Sequence, residues 1–296
     1  MEECLETIER APEVASDETL AILVRLQRIS DEAQEHLLKD AMADSSGTPT
    51  FMFRKGLKER LNIIKSRIRP EVLSRRKLDI LWFRTLPDTN CLQAHIQSHV
   101  YSTEIQVESV GIFVELEVPE QSRIEGMYAM VKSLRAWYDL FLNMPVQDIP
   151  GMPFSFFIQF TQTHVVLYKL AVSNDPAWDK SYLRSTADPM TLFDRCVERF
   201  QQMATVYPMK PSQDAPTIFA KGATMVSHIR ASWEPIMTAA LGGLPTPESQ
   251  AHNAGSAATG MTPNIPSDPN AGLGDPSTWD FGDMGWMVDV FGPWEF

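Results

Sequence analysis

Up to about residue 241, apolar positions recur mostly at helical spacing, and the breaks between runs fall at proline, glycine or capping residues. The first run, "SDETLAILVRLQRISDEAQEHLLKDAM", sets Leu20, Leu23, Val24, Ile29, Leu37 and Leu38 in a broad stripe with charges between them. Ser16 or Asp17 is suited to cap this helix, and Glu18 to its first turn. A linker follows at "ADSSGTPT". Beyond it, "FRKGLKERLNIIKSRIRPEVLSRRKL" places Leu57, Leu61, Ile64 and Ile68 on one face, with Arg and Lys over the rest, and Pro70 stops or bends the helix.

Residues 76–111 read as helical, broken at Leu86–Pro87, with Asp88 and Thr89 suited to cap the second half. "IFVELEV" alternates as a strand would, but no partner strand is evident, so it is expected as an extended connection. "SRIEGMYAMVKSLRAWYDLFLNMP" predicts an amphipathic helix through Ile124, Met127, Tyr128, Val131, Leu134, Tyr138, Phe141 and Leu142, ended by Pro145. "PFSFFIQFTQTHVVLYKLAV" is apolar nearly all round, as a central helix would be. "DPMTLFDRCVERFQQMAT" opens with Asp188 as cap and Pro189 at the first helical position, burying Leu192, Phe193, Cys196, Val197, Phe200 and Met203. A last helix, "PTIFAKGATMVSHIRASWEPIM", shows Ile218, Phe219, Met225, Val226, Ile229 and Trp233. The fold class expected is all-α: a multi-helix domain over residues 1–241, with a disordered linker at 242–274 and a separate segment at 275–296.

The chain has 296 residues and 44% hydrophobic content, enough for a real core, and a net charge of -12 argues against general nucleic-acid coating. That charge is unevenly placed. Residues 1–43 hold eleven acidic residues against four basic ones, whereas residues 51–77 hold ten basic against two acidic. Within the basic window Arg67, Arg69, Arg75, Arg76 and Lys77 form a candidate patch for nuclear import or phosphate contact. The plainer reading, which the interleaved Leu and Ile favour, is an amphipathic helix whose long basic side chains cover the acidic N-terminal helix. Cys4, Cys91 and Cys196 are scattered, without metal-site spacing, and acidic residues near the N-terminus have the wrong sign for a signal peptide. A reducing compartment is implied, and no membrane span is expected, because the longest charge-free stretch carries Pro150, Pro153, Gln159, Gln162 and His164.

No dinucleotide, P-loop, nucleophile-elbow or zinc-protease motif is present, and no catalytic, metal or cofactor-binding residue is assigned; an enzyme is not expected. The nearest approach to a metal face is "HIQSH", with His95 and His99 on one side of a helix and Glu104 about a turn further on; a third spaced ligand is wanting. The Met-rich helical core is of a kind that hosts a cavity for a small-molecule effector.

The C-terminus is different. From Gly242 onwards there is no Lys or Arg, and no Phe, Tyr or Trp precedes Trp279. Then Trp279, Phe281, Trp286, Phe291, Trp294 and Phe296 appear among Asp280, Asp283 and Asp289. Carboxylates interleaved with large aromatics are the physics of a transcriptional activation segment, which offers apolar side chains to a partner's groove and acids to its basic rim. The competing reading is a latch that folds back on the helical domain.

With these pieces in place, "SDETLAILVRLQRIS", "RPEVLSRRKLDIL", "HVYSTEIQVESVGIF", "SLRAWYDLFLNMP" and above all "FTQTHVVLYKLAVSNDPAWD" resemble the regulatory region of fungal transcription factors that carry a binuclear zinc cluster. The likeness covers roughly residues 15–240. It implies an all-helical region preceding an acidic activation segment, a nuclear or nuclear and cytoplasmic protein, and a coactivator or the transcription machinery as partner. The six cysteines of that family's DNA-binding cluster are absent, so no zinc ligand or DNA-reading residue carries over and direct DNA binding by these residues is not expected. Either Met1 is an internal start in a truncated reading frame, or the chain acts as a cofactor or competitor pairing with a full-length paralogue. The alternative from another class is a helical ligand-binding or scaffold protein.

Overall fold

The computed structural model describes residues 2–11, 13, 15–41, 49–68, 88–112, 119–208 and 216–242, and all regular structure among them is helical. The helices are α1 (Glu2–Arg10), α2 (Ala15–Ala41), α3 (Thr50–Arg67), α4 (Asp88–Ser109), α5 (Glu120–Asn143), α6 (Phe154–Val172), α7 (Lys180–Ala187), α8 (Pro189–Val206) and α9 (Ile218–Ala240), with a 3-10 turn at Ile149–Gly151. They fall into two compact units, the first taking in residues up to Val166 with Asp175–Trp178, the second Leu167–Asn174 and the chain from Asp179 on. Residues 69–87, the "IFVELEV" piece beyond Ile112, and residues 243–296, with nearly all of the expected linker and the whole aromatic segment, lie outside the described residues.

In the first unit, α1 is tied to α2 by charge: the Arg25 guanidinium meets Glu2 at 2.8 Å and Glu9 at 2.6 Å, and Arg28 also pairs with Glu2. Helix α2 begins earlier than expected. Asp17 lies inside its first turn, and its carboxylate reaches back to accept the Glu13 N–H at 2.9 Å. The buried face of α2 is also rotated from the expected stripe. Leu20 is half exposed, whereas Ala21, Leu26, Ile29 and Ala33 are buried, the last three in a core shared with α3 and α4.

Helix α3 presents the expected face, with Leu57, Leu61 and Ile64 buried and Ile68 buried just past its end. The helix stops at Arg67, and Ile68 is already extended, two residues ahead of Pro70. On this face rests a core of Leu26 and Ile29 from α2 and Ile96, Val100 and Val107 from α4. The α5 pattern understates the burial of that helix. Met130 and Trp137 are as fully buried as Met127, Val131, Leu134, Tyr138 and Phe141, while Ile124 and Leu142 are only partly covered. Trp137 stacks on Phe156 of α6 at 5.2 Å and on Phe141 at 5.9 Å, which forms the aromatic centre of the unit.

The second unit is built on helix ends and a close helix pair. Asp179 caps α7 by accepting the Ser181 N–H at 2.9 Å, and Asp188 caps α8 by accepting the Thr191 N–H at 3.0 Å, with Pro189 at the first helical position as predicted. Thr217 does the same for α9, accepting the Ala220 N–H at 3.0 Å. At its other end Lys180 of α7 donates to the Ala240 carbonyl at 3.0 Å, and Gly242 turns the chain away with φ +70°. Helices α8 and α9 pack along Phe193, Phe200, Val226 and Trp233, and a Cβ on Gly222 would sit 2.8 Å from the Phe200 ring. That glycine sets how near the two helices come. Val197, expected in this core, is only partly buried.

Candidate functional site

The basic side chains of α3 reach sideways to carboxylates as its apolar face goes inward. Arg60 meets Glu32 of α2 with a second guanidinium contact at 2.9 Å, so part of the basic surface does cover the acidic N-terminal segment. Lys58 and Lys65 turn instead to α4. Lys58 Nζ lies 2.7 Å from Glu108 Oε1, and Lys65 pairs with Glu104, whose other oxygen accepts the Ser133 hydroxyl of α5 at 2.6 Å. The carboxylates of α4 thus fix α3 and α5 in register along one seam.

One arginine goes further in. Arg54 is 3% exposed and donates to the Ser122 carbonyl at 2.8 Å and to the Ser122 hydroxyl. Its desolvation holds the guanidinium below the usual arginine pKa, partly offset by Glu108 and Glu125 nearby. Gly126 makes room for this arrangement, since a Cβ there would stand 3.1 Å from Arg54 Nη1, 3.4 Å from Glu108 Oε2 and 2.5 Å from the Ile112 side chain. Neither Arg54 Nη1 nor Glu108 Oε2 has a hydrogen-bond partner among the described residues.

Along this seam α3, α4 and α5 leave a groove of about 320 Å³. Its floor is Leu61, Val107 and Ala129, and its walls are Lys58, Asn62, Lys65, Glu104, Glu108, Lys132 and Ser133. Such a volume lies at the lower end of small-molecule sites. The lysines and glutamates of the walls are matched in pairs, except that Lys132 has no carboxylate partner among the described residues.

Of the candidate basic patch, Arg67 is described: its side chain is 61% exposed, with a Glu9 oxygen 4.0 Å away. Arg69, Arg75, Arg76 and Lys77 lie outside the described residues, as does every residue of the candidate activation segment from Trp279 to Phe296. His95 and His99 do share one face of α4, with ring centres 4.7 Å apart. The third member proposed with them is engaged elsewhere, since Glu104 is held by Lys65 and Ser133. His99 lies near the Ser155 hydroxyl at 3.5 Å, and burial, with His95 adding to it, pushes it down to about 4, so it stays neutral. Among the described residues no group of three or more His, Cys, Asp or Glu stands together as metal ligands would. No helix among them is long and apolar enough to cross a membrane.

Comparison with known proteins adds the class. Residues 146–296 match the family model ATEG07667_C, described as a C-terminal domain, and since this is half of the chain the protein belongs to that family. The chain is also similar to Transcription factor opdL of Penicillium oxalicum, at 21% identity over 237 residues, covering 79% of this chain and 39% of that protein. A protein named Transcription factor from Aspergillus terreus is 23% identical over 207 residues, covering 67% of this chain and 34% of its own length. The chain therefore spans between a third and two fifths of the length of these relatives. No solved structure matches it. The resemblance to fungal transcription factors read from the helical patterns holds, since both of these relatives carry that name.

Proposed function

We propose that this chain is the effector and regulatory portion of a fungal transcription factor and works in the nucleus. In this reading the helical region carries regulation, and residues 275–296 form an acidic aromatic activation segment that engages a coactivator or the transcription machinery. The observation that carries it is the composition of the C-terminus: Trp279, Phe281, Trp286, Phe291, Trp294 and Phe296 stand among Asp280, Asp283 and Asp289, with no Lys or Arg after residue 241. Large aromatics gain most when desolvated in a partner's groove, and carboxylates without internal countercharge are free to meet a basic rim. The names of the relatives support the same class. A full-length paralogue would supply DNA recognition if these residues act by pairing.

The test is a transplant. Residues 242–296 fused to an unrelated DNA-binding module should activate a reporter, and the same fusion cut at residue 274 should not. A silent intact fusion would remove the activation segment from the account.

A further inference from the structure

We propose that the groove between α3, α4 and α5 binds a small organic anion, with a carboxylate or phosphate on an apolar frame, through the Lys132 ammonium over the floor of Leu61, Val107 and Ala129. This site stands apart from the C-terminal segment and does not depend on how that segment acts.

The ligand's charge is decided by which charges of the groove remain available. Five charged side chains line the groove, three ammonium groups and two carboxylates. Glu108 is taken by Lys58 at one oxygen while its other is buried, and Glu104 is taken by Lys65 and Ser133, so neither carboxylate is open to a ligand. A cationic ligand would have to displace one of those lysines and would then face Lys132 as well. An anion meets no such conflict at Lys132, and Asn62 adds an amide that can donate to it. The two wall carboxylates repel negative charge from the rest of the groove, so the favoured ligand carries its charge at one end. The apolar floor then takes the uncharged frame. A groove of about 320 Å³ admits a compact molecule of this kind and not a folded partner.

The full chain is titrated calorimetrically with hexanoate and with hexyl phosphate, and with hexylammonium at the same ionic strength. Saturable binding of at least one anion is expected, and which one binds more tightly decides between carboxylate and phosphate. Lys132→Gln should weaken that binding about tenfold, Lys132→Arg should largely retain it, and Lys55→Gln, on α3 and outside the groove, should leave it unchanged. Because the Lys132 side chain is exposed, none of these changes should disturb the fold. The proposal is overturned if neither anion binds up to about 10 mM, if hexylammonium binds as well as they do, or if Lys132→Gln binds like the parent.

Discussion

The seam joining α3, α4 and α5 and the seam joining α8 and α9 solve the same problem with different materials. In the first, the apolar contact of Leu57, Leu61 and Ile64 is flanked by Lys58–Glu108 and Lys65–Glu104, and the polar flank opens into a groove. In the second, Phe200 closes directly over Gly222, Phe193, Val226 and Trp233 are buried along the same pair of helices, and the polar chemistry retreats to the helix ends, where Asp188 and Thr217 cap. Ion pairs at a partly exposed seam contribute little net stability but fix geometry, whereas a close apolar seam is stabilised by burial and tolerates no added volume. The first seam is therefore the place to look for a ligand. The second is a rigid base, and it lies wholly within the residues that match the C-terminal domain family.

That contrast can be broken from either side. The largest effect is expected at the aromatic centre of the first unit, where Trp137→Ala should cost about 4 kcal/mol in chemical denaturation. Hydrogen exchange should show the loss in α5 and in α6 up to Val166. Acid should act on the same unit. His99 and His164 are buried and neutral, each pushed down to about 4 by desolvation, against about 6.5 in the unfolded chain. As pH falls through 6.5 the unfolded chain takes up protons that the folded one refuses, so stability present at pH 7 is lost on the way to pH 4. About 2 kcal/mol per histidine should disappear between pH 7 and pH 5, and His99→Gln should flatten part of that slope. In the second unit, Gly222→Leu would drive a side chain into the Phe200 ring and should cost about 2 kcal/mol, with exchange rising in α8 and α9. If Gly222→Leu left stability unchanged, the description of that seam as closed would be wrong.

How much of this was legible beforehand depended on whether the information was local. The α8 start was readable because Asp188 and Pro189 carry their own instructions, and the α3 face because Leu57, Leu61, Ile64 and Ile68 follow one period. Leu20 misled for the same reason: its spacing fits a stripe, but the face actually buried runs through Leu26, Ile29 and Ala33, and it is chosen by where α3 and α4 lie, which no local spacing tells. Met130 and Trp137 were missed because a helix covered on several sides has no single apolar stripe to recognise. The groove could not be read at all, since it brings together residues 58–65, 104–108 and 129–133 from three helices. Its one local hint was a basic helix, and the structure shows that much of that charge is matched within the fold.

The terminal segment makes the opposite case. Its carboxylates have no Lys or Arg partner anywhere beyond residue 241, so whatever meets them comes from outside the segment. The most direct test keeps the whole chain, fused to an unrelated DNA-binding module, and replaces Trp279, Trp286 and Trp294 together by Ala. Reporter activation should fall to near background while hydrogen exchange in α3 to α9 stays as in the parent. Activation that survives the triple substitution, or a parent fusion that never activates, would contradict the claim that these aromatics are the effector surface.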